Sequence, residues 1–282
     1  MGEAAKTGTK ETFAIAAVVA AGLVVFVLLL FADRTSLNDG NAKPSANDAP
    51  TASADEGQDL PQGTDGQVLR GLMAQYGQNP DTATARKVLQ AAVNANRPDL
   101  VAAWADTLAQ LAPTPEYQLA AGRAYLEAIR QPPVATSEAQ RSAYARRGYT
   151  LLGSYTAAKP TDLAARTDRA LLYIESGDQQ VIMQGVQELR TLADENPAYT
   201  PAQLRMGIFS YQTGQYAKAE PRFRKILSTA PNHPEANYYL GLTLVGLGKP
   251  DAAQPFLQAA ARAANPDLAQ AAQAALRQLQ AN

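Results

Sequence analysis

The sequence predicts an all-α fold, a solenoid of about four to five helical hairpins with capping helices, preceded by one N-terminal transmembrane helix. Three observations carry this expectation. First, the stretch Thr200–Pro266 holds one pattern twice. Met206-Gly207 recurs as Leu240-Gly241, Gly214 as Gly248, Ala219 as Ala253, Pro221 as Pro255 and Phe223 as Leu257, each about 34 residues on, the period of a two-helix repeat. Second, every residue from Phe13 to Ala32 is apolar or Gly. Third, a polar tract poor in large apolar groups separates that run from the repeats. The chain therefore divides into a cytoplasmic tail at 1–12, a transmembrane signal anchor at 13–32, a disordered polar linker at 33–65 and a repeat domain at 66–282.

The totals exclude several classes of function. A formal net charge of −1, with mixed signs along the globular part, leaves no basic footprint for nucleic acid. With no cysteine there is no disulfide, no thiolate metal site and no thioether attachment of haem to this chain. A hydrophobic content of 46% with 18% charge is ordinary for a chain that buries a core.

At about 1.5 Å per residue, the run Phe13–Ala32 covers the ~30 Å hydrocarbon core of a bilayer. A cleaved secretory signal has a shorter apolar region of about 7 to 15 residues, closely followed by a small-x-small site. Here Phe31-Ala32-Asp33-Arg34 ends the run and the nearest good triplet, Ala52-Ser53-Ala54, lies far downstream, so an uncleaved anchor is expected. Lys6, Lys10 and the amino terminus precede the span, whereas Arg34 and Lys43 follow it. That slight bias, with a short N-terminal tail, places everything after Asp33 outside the cytoplasm, on the periplasmic side of a bacterial cell membrane. From Asp33 to about Gly66 the chain is rich in Asn, Asp, Ser, Thr, Gly, Pro and Ala, with Leu37 and Leu60 nearly alone as large apolar residues. Such a tether cannot bury enough surface to offset its ordering entropy.

Counting back from the clear repeats places the irregular ones. Gln67–Tyr76 forms a capping helix, followed by helices at Pro80–Asn94 and Pro98–Leu111, where Trp104 is read as a core filler. The next unit opens with Tyr117–Arg130. Its paired prolines, Pro132-Pro133, stop that helix, and Ser137 is an N-cap candidate for the following one. A further first helix runs from Ala164 to Ser176 and ends at Gly177, and an insertion falls in the turn around Asp178 to Val181. After Pro266, Leu268–Leu279 forms a second cap, because an end repeat otherwise exposes the face its neighbour would cover.

The pattern Met206-Gly207, Tyr211, Gly214-Gln215-Tyr216, Ala219, Phe223 and Pro231 resembles the tetratricopeptide repeat, and Leu240-Gly241, Gly248, Ala253 and Leu257 repeat it. Ser210 stands where that family often carries an aromatic, with Tyr211 one place later. The resemblance implies that Gly207 and Ala219 let two helices approach closely, and that Phe223 fills the junction with the next hairpin. It also implies a concave face lined by first helices. Counted from the Gly of each unit, the lining is Leu119, Arg123 and Leu126; Thr167, Leu171 and Ile174; Leu204, Ile208 and Tyr211; and Tyr238, Leu242 and Val245. Members that clamp a free C-terminal carboxylate use Lys, Arg and Asn at these places, and only Arg123 fits that need. An apolar groove of this kind suits an amphipathic helix from a protein partner.

The combination of one anchor, a polar tether and extracytoplasmic repeats with an enlarged inter-helix turn resembles the repeat subunits of bacterial cytochrome c maturation systems. That resemblance implies a chaperone holding the C-terminal helix of an apocytochrome or its reductase. Several members carry two spans where this chain has one, and many have Trp beside the position of Phe223, which this chain lacks.

No catalytic set accompanies these features, and no cofactor or metal is expected. The only histidine, His233, lies in the turn Pro231-Asn232-His233-Pro234 without a nucleophile or clustered carboxylates. Asp178 and Asp194-Glu195 read as solvated charge at helix ends, and Glu138, Arg141, Arg146 and Arg147 as the wet face of one helix. The expected work is binding a protein or peptide, as an adaptor or chaperone. The alternative is a cell-envelope scaffold that binds folded subunits or forms a homo-oligomer.

Overall fold

The computed structural model describes residues 60, 63–132 and 136–281. Among them are twelve α-helices and no strand. They are α1 (Thr64–Gln78), α2 (Thr82–Asn94), α3 (Pro98–Leu111), α4 (Pro115–Arg130), α5 (Glu138–Ala158), α6 (Leu163–Ile174), α7 (Gln179–Glu195), α8 (Thr200–Gln212), α9 (Tyr216–Thr229), α10 (Pro234–Gly246), α11 (Pro250–Ala260) and α12 (Pro266–Ala281). The expected anchor Phe13–Ala32 and nearly all of the tether lie outside the described residues. Among the described residues, no helix is long and apolar enough to cross a membrane. Leu60, assigned to the tether on sequence, is buried at 6% exposure in the first core.

The chain forms two compact units, Met1–Met183 and Gln184–Asn282, and the division falls inside α7. In the first unit, each of α1 to α6 packs on its neighbour in sequence, and α4 also touches α6. Its cores are built from Leu69, Val88, Leu89, Leu100, Trp104 and Leu108 at one end and Leu119, Leu126, Leu152 and Leu172 further along. Trp104 is buried, with its ring edge-on to Tyr76 of α1 at 4.9 Å, as expected of a core filler. In the second unit, α8 to α12 pack in the same sequential way around Leu204, Phe223, Ile226, Leu240, Leu244 and Leu257.

Local signals start and stop these helices. Pro98, Pro115, Pro201, Pro234 and Pro250 occupy first turns, where the missing N–H removes a donor that had no intrahelical partner. Asp81 caps α2 by accepting from the Thr84 N–H at 2.8 Å, and Ser137 caps α5 in a reciprocal capping box with Gln140. Asp162 caps α6 through the Ala165 N–H at 2.9 Å. His233, read on sequence as turn filler, caps α10 by accepting the Ala236 N–H at Nδ1 over 3.3 Å.

The turns between hairpin helices need a left-handed residue, and Gly177, Gly214 and Gly248 supply it at φ 76°, 72° and 71°. Asn96 takes the same slot in the first hairpin at φ 52°. The turn of the second hairpin, at 133–135, lies outside the described residues. The insertion expected around Asp178–Val181 does not widen a turn. Helix α7 begins at Gln179, so the extra residues lengthen it to 17, against 14 in α9.

The tight glycine slots have a steric cause. A Cβ on Gly207 would lie 2.7 Å from the Phe223 ring, one on Gly241 2.6 Å from Leu257, and one on Gly122 2.5 Å from Leu152. Each large residue of a second helix thus sits directly on the backbone of the first helix of its own hairpin. Phe223 does this and also stacks on Tyr239 of α10, with ring centroids 6.0 Å apart.

Candidate protein-binding face

In the first unit the expected lining is mostly interior. Leu119 and Leu126 are buried at 5% and 3% exposure, and Thr167 is buried with its hydroxyl donating to the Leu163 carbonyl at 2.8 Å. Leu171 and Ile174 are half-buried, Leu171 against the second of the two cores. Arg123 is half-buried and its Nε donates to Asp168 Oδ2 at 2.8 Å, so its charge is already met from α6. This unit therefore offers no open cation for a carboxylate at that position.

The first unit also contains a polar knot that sequence reasoning missed. Asp106 on α3 is 2% exposed. It accepts two bonds from Arg147 of α5, both at 2.7 Å, one from the Tyr125 hydroxyl of α4 at 3.0 Å and one from the Gln110 amide at 3.2 Å. A buried carboxylate requires such saturation. Burial and the neighbouring negative charge push the Tyr125 hydroxyl far above its ordinary value. Arg147 was expected on a wet face with Glu138, Arg141 and Arg146. Arg146 and Glu138 are exposed, and Arg141 makes an exposed pair with Glu175 at 2.9 Å. Arg147 instead turns inward, because an unpaired Asp106 would be the costlier arrangement.

The second unit presents an accessible face. Leu204 is buried at 5% exposure, whereas Ile208, Tyr211, Tyr238 and Leu242 are half-buried and Val245 is 39% exposed. These side chains come from α8 and α10, the first helices of consecutive hairpins, which touch. Two tyrosines outside the expected set complete the cluster. Tyr211 lies 5.6 Å from Tyr216 and 5.7 Å from Tyr239, and Tyr238 meets Tyr239 edge-on at 5.2 Å. The ring of Tyr216 covers Gly246, where a Cβ would sit 2.7 Å from it. Ser210, at the family's aromatic position, is buried and donates to the Met206 carbonyl at 2.9 Å, which leaves Tyr211 as the ring on this face. Burial, followed by the neighbouring phenols, raises the Tyr211 hydroxyl above its usual value, and burial with Tyr238 beside it does the same for Tyr239. The face is thus mainly aromatic, with hydroxyl donors among apolar rings, and Glu235 and Arg205 lie near enough to Tyr239 to act on its hydroxyl.

Among the described residues, no group of three or more His, Asp or Glu is placed to hold a metal. The tetratricopeptide repeat model matches residues 210–279, the span that contains the tyrosines, Leu242 and Val245 of this face, while Ile208 lies just before it. That stretch carries the tetratricopeptide repeat. Such repeats are interaction modules rather than catalytic ones. No curated protein matches the sequence. Among solved structures, the chain is similar to MamA at 17% identity, covering 61% of this chain and 92% of that one with a TM-score of 0.47. A second structure, MamA MSR-1, gives 20% identity, 63% and 93% coverage, and 0.43. YrrB, described as a TPR protein with an unusual peptide-binding site, gives 14%, 73% and 98%, and 0.44.

Proposed function

We propose that this chain is a non-catalytic, membrane-anchored adaptor whose α8–α10 face takes an amphipathic helix from a protein partner. The observation that carries the proposal is the accessible cluster of Ile208, Tyr211, Tyr238, Leu242 and Val245 on successive tetratricopeptide helices. Rings and branched aliphatics suit the apolar stripe of a partner helix, which meets them at i, i+3, i+4 and i+7. Each large anchor buried there contributes on the order of 1.5 to 3 kcal/mol before ordering costs, so two or three give micromolar binding. The apolar run Phe13–Ala32 supports anchoring, with the repeats on the extracytoplasmic side. The sequence resemblance to cytochrome c maturation subunits supports the C-terminal helix of an apocytochrome or its reductase as the client.

Binding of a labelled synthetic amphipathic helix to the full chain tests this. Ile208→Asp and Tyr238→Asp each place a carboxylate against the apolar stripe, and each is expected to weaken binding at least tenfold while the helical signal stays intact. Unchanged binding by folded variants overturns the face. A self-assembled particle with no peptide affinity overturns the adaptor in favour of an envelope scaffold.

A further inference from the structure

A second concavity in the Gln184–Asn282 unit has the opposite chemistry. It has a volume of about 520 Å³ and is lined by Ala193 and Asp194 at the end of α7, Gln203 of α8, and Ala217, Lys218, Pro221, Arg222 and Lys225 of α9. A smaller hollow of about 210 Å³ adjoins it, sharing Gln203 and Lys225 and continuing along Ile226, Ser228 and Thr229. The lining comes from α7, α9 and the Gln203 side of α8, not from α10, so this cleft is separate from the tyrosine face.

The cleft holds three cations and one carboxylate on a chain whose formal net charge is −1. Asp194 is 60% exposed and, among the described residues, pairs with Arg222 at 3.3 Å. Lys218 donates to the neutral Gln215 amide oxygen at 2.7 Å. Lys218 and Lys225 have no carboxylate within ion-pair reach among the described residues. Arg222 is held in place: it donates to Gln203 Oε1 at 3.1 Å, and Gln203 is buried with its amide nitrogen donating to the Ala193 carbonyl. That fixed orientation lowers the entropy lost when a carboxylate docks on the guanidinium. The floor is Ala193, Ala217 and Pro221. Pro221 lies inside α9 and has no N–H, so the Ala217 carbonyl lacks its usual i+4 donor.

We propose that this cleft is a second binding site, for an extended peptide segment rich in Asp and Glu. From Lys218 to Thr229 the helix rises about 16 Å, which matches about five extended residues at 3.3 Å each. Carboxylates meet Lys218, Arg222 and Lys225, small side chains rest on the Ala and Pro floor, and Ser228 and Thr229 offer hydroxyls at the far end. A single small anion would leave most of this volume unfilled. The site stands whether or not the tyrosine face binds a helix.

The test is anisotropy of a fluorescein-labelled peptide of alternating Glu and Ala on the full chain at physiological ionic strength. The same peptide with Gln for Glu is the control. The Glu peptide is expected to bind at least tenfold tighter than the Gln peptide. The double variant Lys218→Gln, Lys225→Gln is expected to lose about tenfold, since exposed pairs each contribute modestly. Ile208→Asp is expected to leave this binding unchanged. Equal binding of the two peptides overturns the site without recourse to any variant. Wild-type affinity in the folded double variant overturns the assignment to these lysines. Inorganic polyphosphate competing as well as the Glu peptide at equal charge overturns the peptide as occupant in favour of a general polyanion surface.

Discussion

Replacing a helical glycine by alanine is expected to act with opposite sign at two positions of this chain. At Gly207 of α8, a Cβ would lie 2.7, 2.9 and 3.2 Å from three atoms of the Phe223 ring. That ring is fully buried and has Tyr239 stacked on it, so it has little room to retreat. Overpacking of this kind costs about 1 to 3 kcal/mol, while alanine gains about 1 kcal/mol over glycine in helix propensity. The net is a loss of up to about 2 kcal/mol. At Gly153 of α5, nothing lies within 4 Å of the added Cβ, so only the propensity gain remains and the same substitution stabilises by about 0.5 to 1 kcal/mol. Urea unfolding of the full chain, followed by far-UV circular dichroism, reads both changes. Gly207→Ala is expected to lower the midpoint and Gly153→Ala to raise it. Adding Phe223→Ala, which removes the obstructing ring altogether, is expected to remove the steric part of the Gly207 penalty, read as the coupling between the two substitutions; leucine would not serve, since Leu257 crowds Gly241 at 2.6 Å in the same slot. If Gly207→Ala stabilises as Gly153→Ala does, the reading of the glycine slot as a steric requirement is refuted.

Two further predictions concern the polar knot. Asp106→Leu leaves the Tyr125 hydroxyl and the inward-turned Arg147 without their acceptor and is expected to cost about 2 to 3 kcal/mol, below the full price of a broken buried pair because Arg147 is partly exposed. The triple variant Asp106→Leu, Tyr125→Phe, Arg147→Met is expected to recover most of that loss in urea unfolding, and a triple no more stable than the single would contradict this account. Tyr125 is held neutral by burial and by Asp106, so its folded pKa lies above the ordinary 10.0. Its contribution is complete below pH 10 and is lost as pH rises further and the unfolded chain ionises first. Stability measured from pH 8 to 11 is expected to fall at the alkaline end, and to fall less steeply in Tyr125→Phe.

The fold was largely legible because its sequence signals are local or periodic. The 34-residue recurrence of Gly207 at Gly241 and Phe223 at Leu257 reports a contact made within each hairpin, so one repeat predicts the next. The caps at Ser137, Asp81 and Asp162 are likewise local. What escaped the sequence depends on partners remote along the chain. Nothing near Arg147 shows that it reaches Asp106, 41 residues earlier, and a basic residue beside Arg146 reads as solvent-facing until the fold brings α3 and α5 together. Asn96 escaped for a different reason: left-handed backbone is usually a glycine signature, and asparagine adopts it at tolerable cost.

The same distinction explains why the expected lining differs between the two units. Counting from the repeat glycine gives every first helix the same address, but whether an addressed residue is accessible depends on what packs over it. In the first unit, α5 runs for 21 residues, and the long α4–α5 pair closes Leu119 and Leu126 into a core with Leu152, Tyr155 and Leu172. In the second unit, α9 and α11 have 14 and 11 residues, and their large side chains are spent on the backbone at Gly207 and Gly241. Tyr238 and Leu242 stay half-buried, with Leu276 and Leu279 of α12 in the same cluster, and Val245 is exposed. The regular repeats thus keep a half-buried aromatic face, whereas the first unit draws Leu119 and Leu126 at the same addresses into its core.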